Sequence, residues 1–159
     1  MKTIVVKFGG SSLASAGQFQ KVADIIRAET ARRYVVASAP GKRDSADTKV
    51  TDLLYRCYDL ASAKQDFAPV LAQIEARFAD IAAGLGLSFD VSGEIAVIRK
   101  HLEQNPQRDY MASRGEYLNS KLLAAFLGYD FLDPAQAVRF FPDGAFDSET
   151  TNETLAAAL

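Results

Sequence analysis

Cysteine, histidine and tryptophan are nearly missing from this chain, whose 159 residues hold one Cys, one His and no Trp. A lone Cys57 forms no internal disulfide, and Cys57 with His101 is too small a set for a structural zinc site. Catalysis by a Ser–His–Asp or Cys–His arrangement is disfavoured for the same reason. Cys57 falls on an apolar helical face, where a core thiol is a simpler reading than a nucleophile. Net charge is slight as well: 18 Lys+Arg against 20 Asp+Glu leave −2. No overall basic field attracts a phosphate backbone, so nucleic acid is a poor choice of partner. No apolar run has the length of a membrane span. The opening MKTIVVKFGG is too short in apolar residues for a signal-peptide core, which points to the cytoplasm. The length suits one domain with a real core.

What the chain does contain is alternating strand and helix signals. Ile4-Val5-Val6-Lys7-Phe8 is a β-branched run stopped by Gly9-Gly10 and reads as a buried strand. Ser15 with Gln18 fits a capping box, and Phe19, Val22, Ile25 and Ile26 recur at helical spacing, which predicts a helix from Gln18 to near Arg32. Tyr34–Ser38 predicts a second strand, parallel to the first through a right-handed crossover. Residues 39–50 carry Pro40, Gly41 and mixed charges and predict an exposed loop. Its Lys42, Arg43, Asp44, Asp47 and Lys49 read first as a solvated face, and secondarily as phosphate or substrate contacts. Apolar spacing predicts further helices over 53–61, 71–85, 91–102 and 118–127, the last ending at Gly128. Phe131-Leu132 and Val138–Phe141 predict short strands, and Asn152 is the expected N-cap of a closing helix. So few strands against so many helices leave a parallel sheet incomplete, so the chain reads as part of a longer one.

Two groups of residues could carry chemistry. Lys7 lies in an apolar strand, and a buried ammonium there requires an anionic partner. Gly9 and Gly10 lack Cβ atoms, so their N–H groups can approach a phosphate, and Ser11 and Ser12 add hydroxyl donors before a helix N-terminus. This cradle is neither a P-loop nor a dinucleotide fingerprint. A strand-end turn with Lys7 reaching into solvent accounts for the same residues. The second group is Ser113-Arg114-Gly115-Glu116, with Ser120 one turn beyond on the face of Glu116. Ser113 and Glu116 fit a capping box, while a Glu at a helix start could instead receive a substrate ammonium group. Ser38 ends the second strand, at the edge where open α/β sheets bind ligands. Thr51 reads as an N-cap and His101 as a surface residue near a helix C-terminus.

In order along the chain, Lys7-Phe8-Gly9-Gly10-Ser11-Ser12, Val35–Ala39 with Pro40-Gly41-Lys42, Thr51-Asp52-Leu53-Leu54, and Arg114-Gly115-Glu116 with Ser120 resemble the blocks of aspartate kinases. The resemblance runs to about residue 141, and the combination is far more specific than any block alone. It implies the amino acid kinase fold, α/β with a mostly parallel sheet packed between helices, with residues 1–159 as its N-terminal part. The implied reaction is phosphorylation of the L-aspartate side chain by ATP with Mg²⁺, giving 4-phospho-L-aspartate for lysine, threonine and methionine synthesis. Lys7, Gly9 and Gly10, flanked by Ser11 and Ser12, would meet the phosphates, with Lys7 the catalytic cation. Ser38, Thr51 and Glu116 would hold aspartate, Glu116 through its α-ammonium group. The resemblance assigns no metal ligand in this chain. Members are commonly homo-oligomers and continue into a nucleotide-binding half and ACT regulatory domains, so this chain alone is expected to have little or no turnover. Other amino acid kinases, or a non-catalytic amino-acid-binding or dimer-forming module of the same fold, are the alternatives. Asp52 stands where many members have Asn.

Overall fold

The computed structural model describes residues 3–159. They form two compact units, divided between Tyr129 and Asp130. In the first, strand β1 (Ile4–Phe8) leads through a four-residue 3-10 turn, Gly10–Leu13, into helix α1 (Ala16–Arg27) and back to strand β2 (Arg32–Ala37). The two strands pair in parallel, Val6 against Val35 and Lys7 against Val36. Helices α2 (Val50–Ser62), α3 (Ala68–Gly84), α4 (Val91–Gln104) and α5 (Arg108–Leu127) follow. Helix α2 packs on both α3 and α5, and α5 also meets β2.

One core joins these elements. Leu13, Phe19 and Ile26 meet Leu54, Ile74, Phe78, Met111 and Leu122, all buried. Val6, Phe8 and Val35 face this core from the sheet. The other side of the sheet is open: Val5 is 65% and Val36 48% exposed, and Lys7 lies between them in the pleat. Of the two readings of Lys7, the buried one fails and the solvent-facing one holds. Strand alternation carries its ammonium to the solvated side, where it keeps its hydration and needs no counter-charge. None of the ion pairs among the described residues involves it.

Several boundaries differ from the sequence reading. Helix α1 stops at Arg27 because the chain turns at Glu29, whose carbonyl accepts from Arg32 N–H at 3.0 Å, and β2 begins at once. Ser15 is the N-cap of α1, yet its side chain makes no capping hydrogen bond. Helix α5 begins at Arg108, so Ser113 is interior and caps nothing; its hydroxyl donates to the Tyr110 carbonyl at 2.8 Å. The early turns of α5 bury only Met111 and Gly115, too thin an apolar stripe to read as helix. His101 is half-buried, its ring stacked on Tyr110 with centroids 3.7 Å apart, rather than lying free on the surface. Cys57 lies fully in the core, as its spacing indicated.

The second unit holds a short helix α6 (Pro134–Ala137), an antiparallel pair β3 (Arg139–Phe140) and β4 (Phe146–Asp147), and helix α7 (Ser148–Ala158). Gly144 at φ +85° closes the hairpin, a conformation open to glycine. Phe131-Leu132 is not a strand, and only Arg139-Phe140 of the expected second segment pairs. The N-cap of α7 is Asp147, which accepts from Thr150 N–H at 3.0 Å; Asn152 is inside the helix. The carboxylate outcompetes the later amide because it is charged and sits on the positive end of the helix dipole.

Candidate functional site

The turn after β1 and the loop after β2 touch backbone to backbone. Gly41 N–H donates to the Gly10 carbonyl at 2.8 Å. A Cβ on Gly10 would lie 2.7 Å from the Ala39 carbonyl oxygen, and one on Gly41 would lie 2.7 Å from the Gly10 carbonyl carbon. Only glycine permits this approach. Gly115 plays the same part on the other side, since a Cβ there would sit 2.6 Å from that of Ala39 and 3.2 Å from Leu54 Cδ1. Helix α5 thus packs against the loop through Gly115, and the next residue, Glu116, about 100° further round the helix, lines the cavity.

Between these contacts lies a cavity of about 440 Å³ lined by Gly10, Ser11, Ser38, Thr51 and Glu116, with Lys42 and Lys49 beside them. Five residues singled out in separate stretches of sequence therefore share one wall. Lys7, Gly9 and Ser12 do not line it. Gly9 has room for a Cβ within this chain, so nothing in its own packing demands glycine there. Thr51 is the second residue of α2, not its N-cap, which is Lys49. Asp52 falls in the first turn of α2, where a carboxylate suits the helix dipole.

Two buried polar side chains hold the cavity in shape, and the sequence reading passed over both. Asn119, wholly buried on α5, donates through Nδ2 to the Ser38 carbonyl at 2.6 Å and fixes the end of β2. Arg77 on α3 is 4% exposed; its Nη1 donates to the Gly41 carbonyl at 3.0 Å and its Nη2 to the Thr48 carbonyl at 3.4 Å and to Asp47. Asp47 also accepts from Arg43 Nε at 3.0 Å, and Arg43 reaches Asp80 at 3.7 Å. Asp47 is thus no solvated loop charge: hydrogen bonds from Arg43 and the nearby Arg77 guanidinium hold its carboxyl far below the usual carboxylate range. Burial pulls the Arg77 guanidinium downward, against Asp47, which raises it. The signal was present in each case, a polar residue on an apolar stripe: Arg77 among Ile74, Phe78 and Ile81, and Asn119 among Gly115, Leu122 and Leu123.

The cavity offers one carboxylate, two ammonium groups, hydroxyls at Ser11, Ser38 and Thr51, and the glycine-rich turn at Gly10. Cys57 contributes no nucleophile, because burial pushes its thiol up to about 11. Among the described residues no group of three His, Cys, Asp or Glu side chains could hold a metal ion, and no helix is long and apolar enough to cross a membrane.

Comparison with known proteins agrees with these features. Over 151 residues the chain is 41% identical to aspartokinase 3 of Bacillus subtilis, a match covering 86% of this chain and 32% of that protein. The crystal structure of Clostridium acetobutylicum aspartate kinase superposes with a TM-score of 0.96 at 39% identity, covering 99% of this chain and 36% of the other. Escherichia coli aspartokinase III in complex with aspartate and ADP shares the fold, with a TM-score of 0.76 at 19% identity over 98% of this chain and 37% of its own. The chain spans about a third of the length of these relatives. The α/β architecture expected from the sequence is that of these enzymes, and the amino acid kinase family model matches residues 2–157. The chain belongs to the amino acid kinase family.

Proposed function

We propose that residues 1–159 are the aspartate- and phosphate-binding part of an aspartate kinase, which transfers the γ-phosphoryl group of ATP to the side-chain carboxylate of L-aspartate. The observation that carries this reading is the meeting of Gly10 and Ser11 with Ser38, Thr51 and Glu116 around one cavity. Glu116 receives the α-ammonium group, Ser38 and Thr51 hydrogen-bond the body of the amino acid, and the β1 turn faces the phosphate. A carboxylate with an ordinary pKa of about 3.9 is already an ionised nucleophile at neutral pH, so the reaction needs no general base. The shortage of histidine is therefore no obstacle. Phosphoryl transfer calls instead for in-line positioning and for donors aimed at the migrating group. Gly9, Gly10, Ser11 and Ser12 supply such donors, and Lys7, hydrated on the open face of the sheet, is the cation for phosphate oxygens.

ATP brings Mg²⁺ with it, and the ion neutralises charge on the phosphates. The rest of the nucleotide site belongs to a larger protein, a homo-oligomer working in the cytoplasm, and the chain by itself does not turn over. Titrating the isotopically labelled chain with L-aspartate and D-aspartate, read by two-dimensional NMR, tests the reading. Shifts at Ser38, Thr51 and Glu116 are expected with the L isomer and are lost in Glu116→Ala. Equal responses to both isomers, or an undiminished response in the variant, would count against it. Aspartyl phosphate formed by the chain with MgATP would refute the lack of turnover.

A further inference from the structure

Asn119 is a wholly buried polar side chain on the helix that also buries Leu118, Leu122 and Leu123. Its two amide atoms fare differently. Nδ2 donates to the Ser38 carbonyl at 2.6 Å, whereas Oδ1, equally buried, accepts no hydrogen bond from the described residues. Turning the amide over would set two oxygens face to face, so its orientation is fixed. A leftover buried acceptor offsets much of what the one bond contributes, and leucine has nearly the same shape without it. What asparagine adds over leucine is position more than stability.

The residue it holds is gripped from two sides. Ser38 N–H donates to the Phe8 carbonyl at 3.0 Å, at the end of β1, and the Ser38 carbonyl accepts from Asn119. The hydroxyl is the donor that Ser38 has left for a ligand, and Ser38 lines the cavity. Asn119 stands three residues after Glu116 on α5, so the helix that carries the acidic residue of the cavity also sets the wall that carries Ser38. Gly115 strengthens the joint one residue further along β2's exit, where it packs against Ala39. The separation of Ser38 from Glu116 is thus fixed by one short run of helix, from Gly115 to Asn119. We propose that Asn119 is a positioning residue of the cavity: it touches no ligand, and by holding the Ser38 carbonyl it sets the Ser38 hydroxyl at the distance from Glu116 at which both engage one amino acid. The proposal rests on the aspartate reading given above.

The labelled chain is titrated with L-aspartate as wild type, as Ser38→Ala, as Asn119→Leu and as the double variant, with urea unfolding to establish that each is folded. Each single substitution is expected to weaken L-aspartate binding about tenfold, and the double variant to bind within about twofold of Ser38→Ala, because a side chain that acts through the Ser38 hydroxyl has nothing to place once that hydroxyl is gone. A side chain that only supports the fold would lower affinity by the same factor in both backgrounds, about a hundredfold in all. That additive result overturns the proposal, as does an Asn119→Leu chain that binds L-aspartate as tightly as wild type. If leucine prevents folding, Asn119→Ala takes its place in the cycle with the same expectation. Wild type supplies a reading that needs no variant: the Asn119 side-chain amide signals are expected to shift on saturation with L-aspartate, and signals that stay still overturn the positioning role. Each of these failures leaves the aspartate reading standing, whereas a wild-type chain blind to L-aspartate overturns that reading and this proposal with it.

Discussion

The amide of Gly41 donates to the carbonyl of Gly10 across 2.8 Å, joining two loops 31 residues apart in the chain with no side chain between them. At this point the cavity wall is backbone, and the close approach depends on two absent methyl groups. Gly41→Ala is expected to destabilise the chain by about 1–3 kcal/mol, because the new Cβ meets backbone that cannot rotate away. Urea unfolding followed by circular dichroism measures this, and a midpoint equal to wild type would show that the loop yields.

Gly115 and Ala39 make a second such contact, this time between a helix and the loop. Gly115→Ala should be destabilising, and Ala39→Gly introduced with it should restore part of the loss, since the two Cβ atoms would otherwise stand 2.6 Å apart. A double-mutant cycle in urea should return a favourable coupling of about 1 kcal/mol or more. Additive effects would place the strain elsewhere, for instance on Leu54.

The Asp47 carboxyl predicts an acid limb in the stability curve. Its folded pKa lies below the unfolded one, so its contribution is complete above the unfolded value of about 3.9 and is lost as pH falls toward the folded value. Asp47→Asn should therefore be less stable than wild type at pH 7, and the gap should close as the pH is lowered through 4 and below. A gap independent of pH in unfolding titrations would mean that the loss is steric and not one of charge.

Cys57 should be silent in the folded chain. With its thiol raised from 9.0 to about 11 it holds about a hundredfold less thiolate at pH 8 than an ordinary thiol, besides being wholly buried. A chromogenic disulfide reagent is expected to label it at the rate of unfolding, and at once in urea. Rapid labelling of the native chain would show an opening at α2.

Features set within a few residues of each other were readable from the chain alone. The β-branched run ending in Gly9-Gly10, the apolar spacings of α2, α3 and α4, and the blocks around Ser38, Thr51 and Glu116 all depend on local pattern, and together they indicated the family and the residues around the cavity. Periodicity says that a face is buried but not what it is buried against. Arg77 finds Gly41 across 36 residues and Asn119 finds Ser38 across 81, and neither pairing leaves a mark on its own helix beyond a polar residue in an apolar stripe. The sidedness of β1 was likewise decided by tertiary packing: helices cover Val6 and Phe8, so alternation delivers Lys7 to water. The sequence by itself singled out Gly10, Ser11, Ser38, Thr51 and Glu116, which line the cavity, because composition and spacing are chemical facts of the chain. Only the fold decided which charges are solvated and which are locked, because desolvation depends on neighbours brought from far along the sequence.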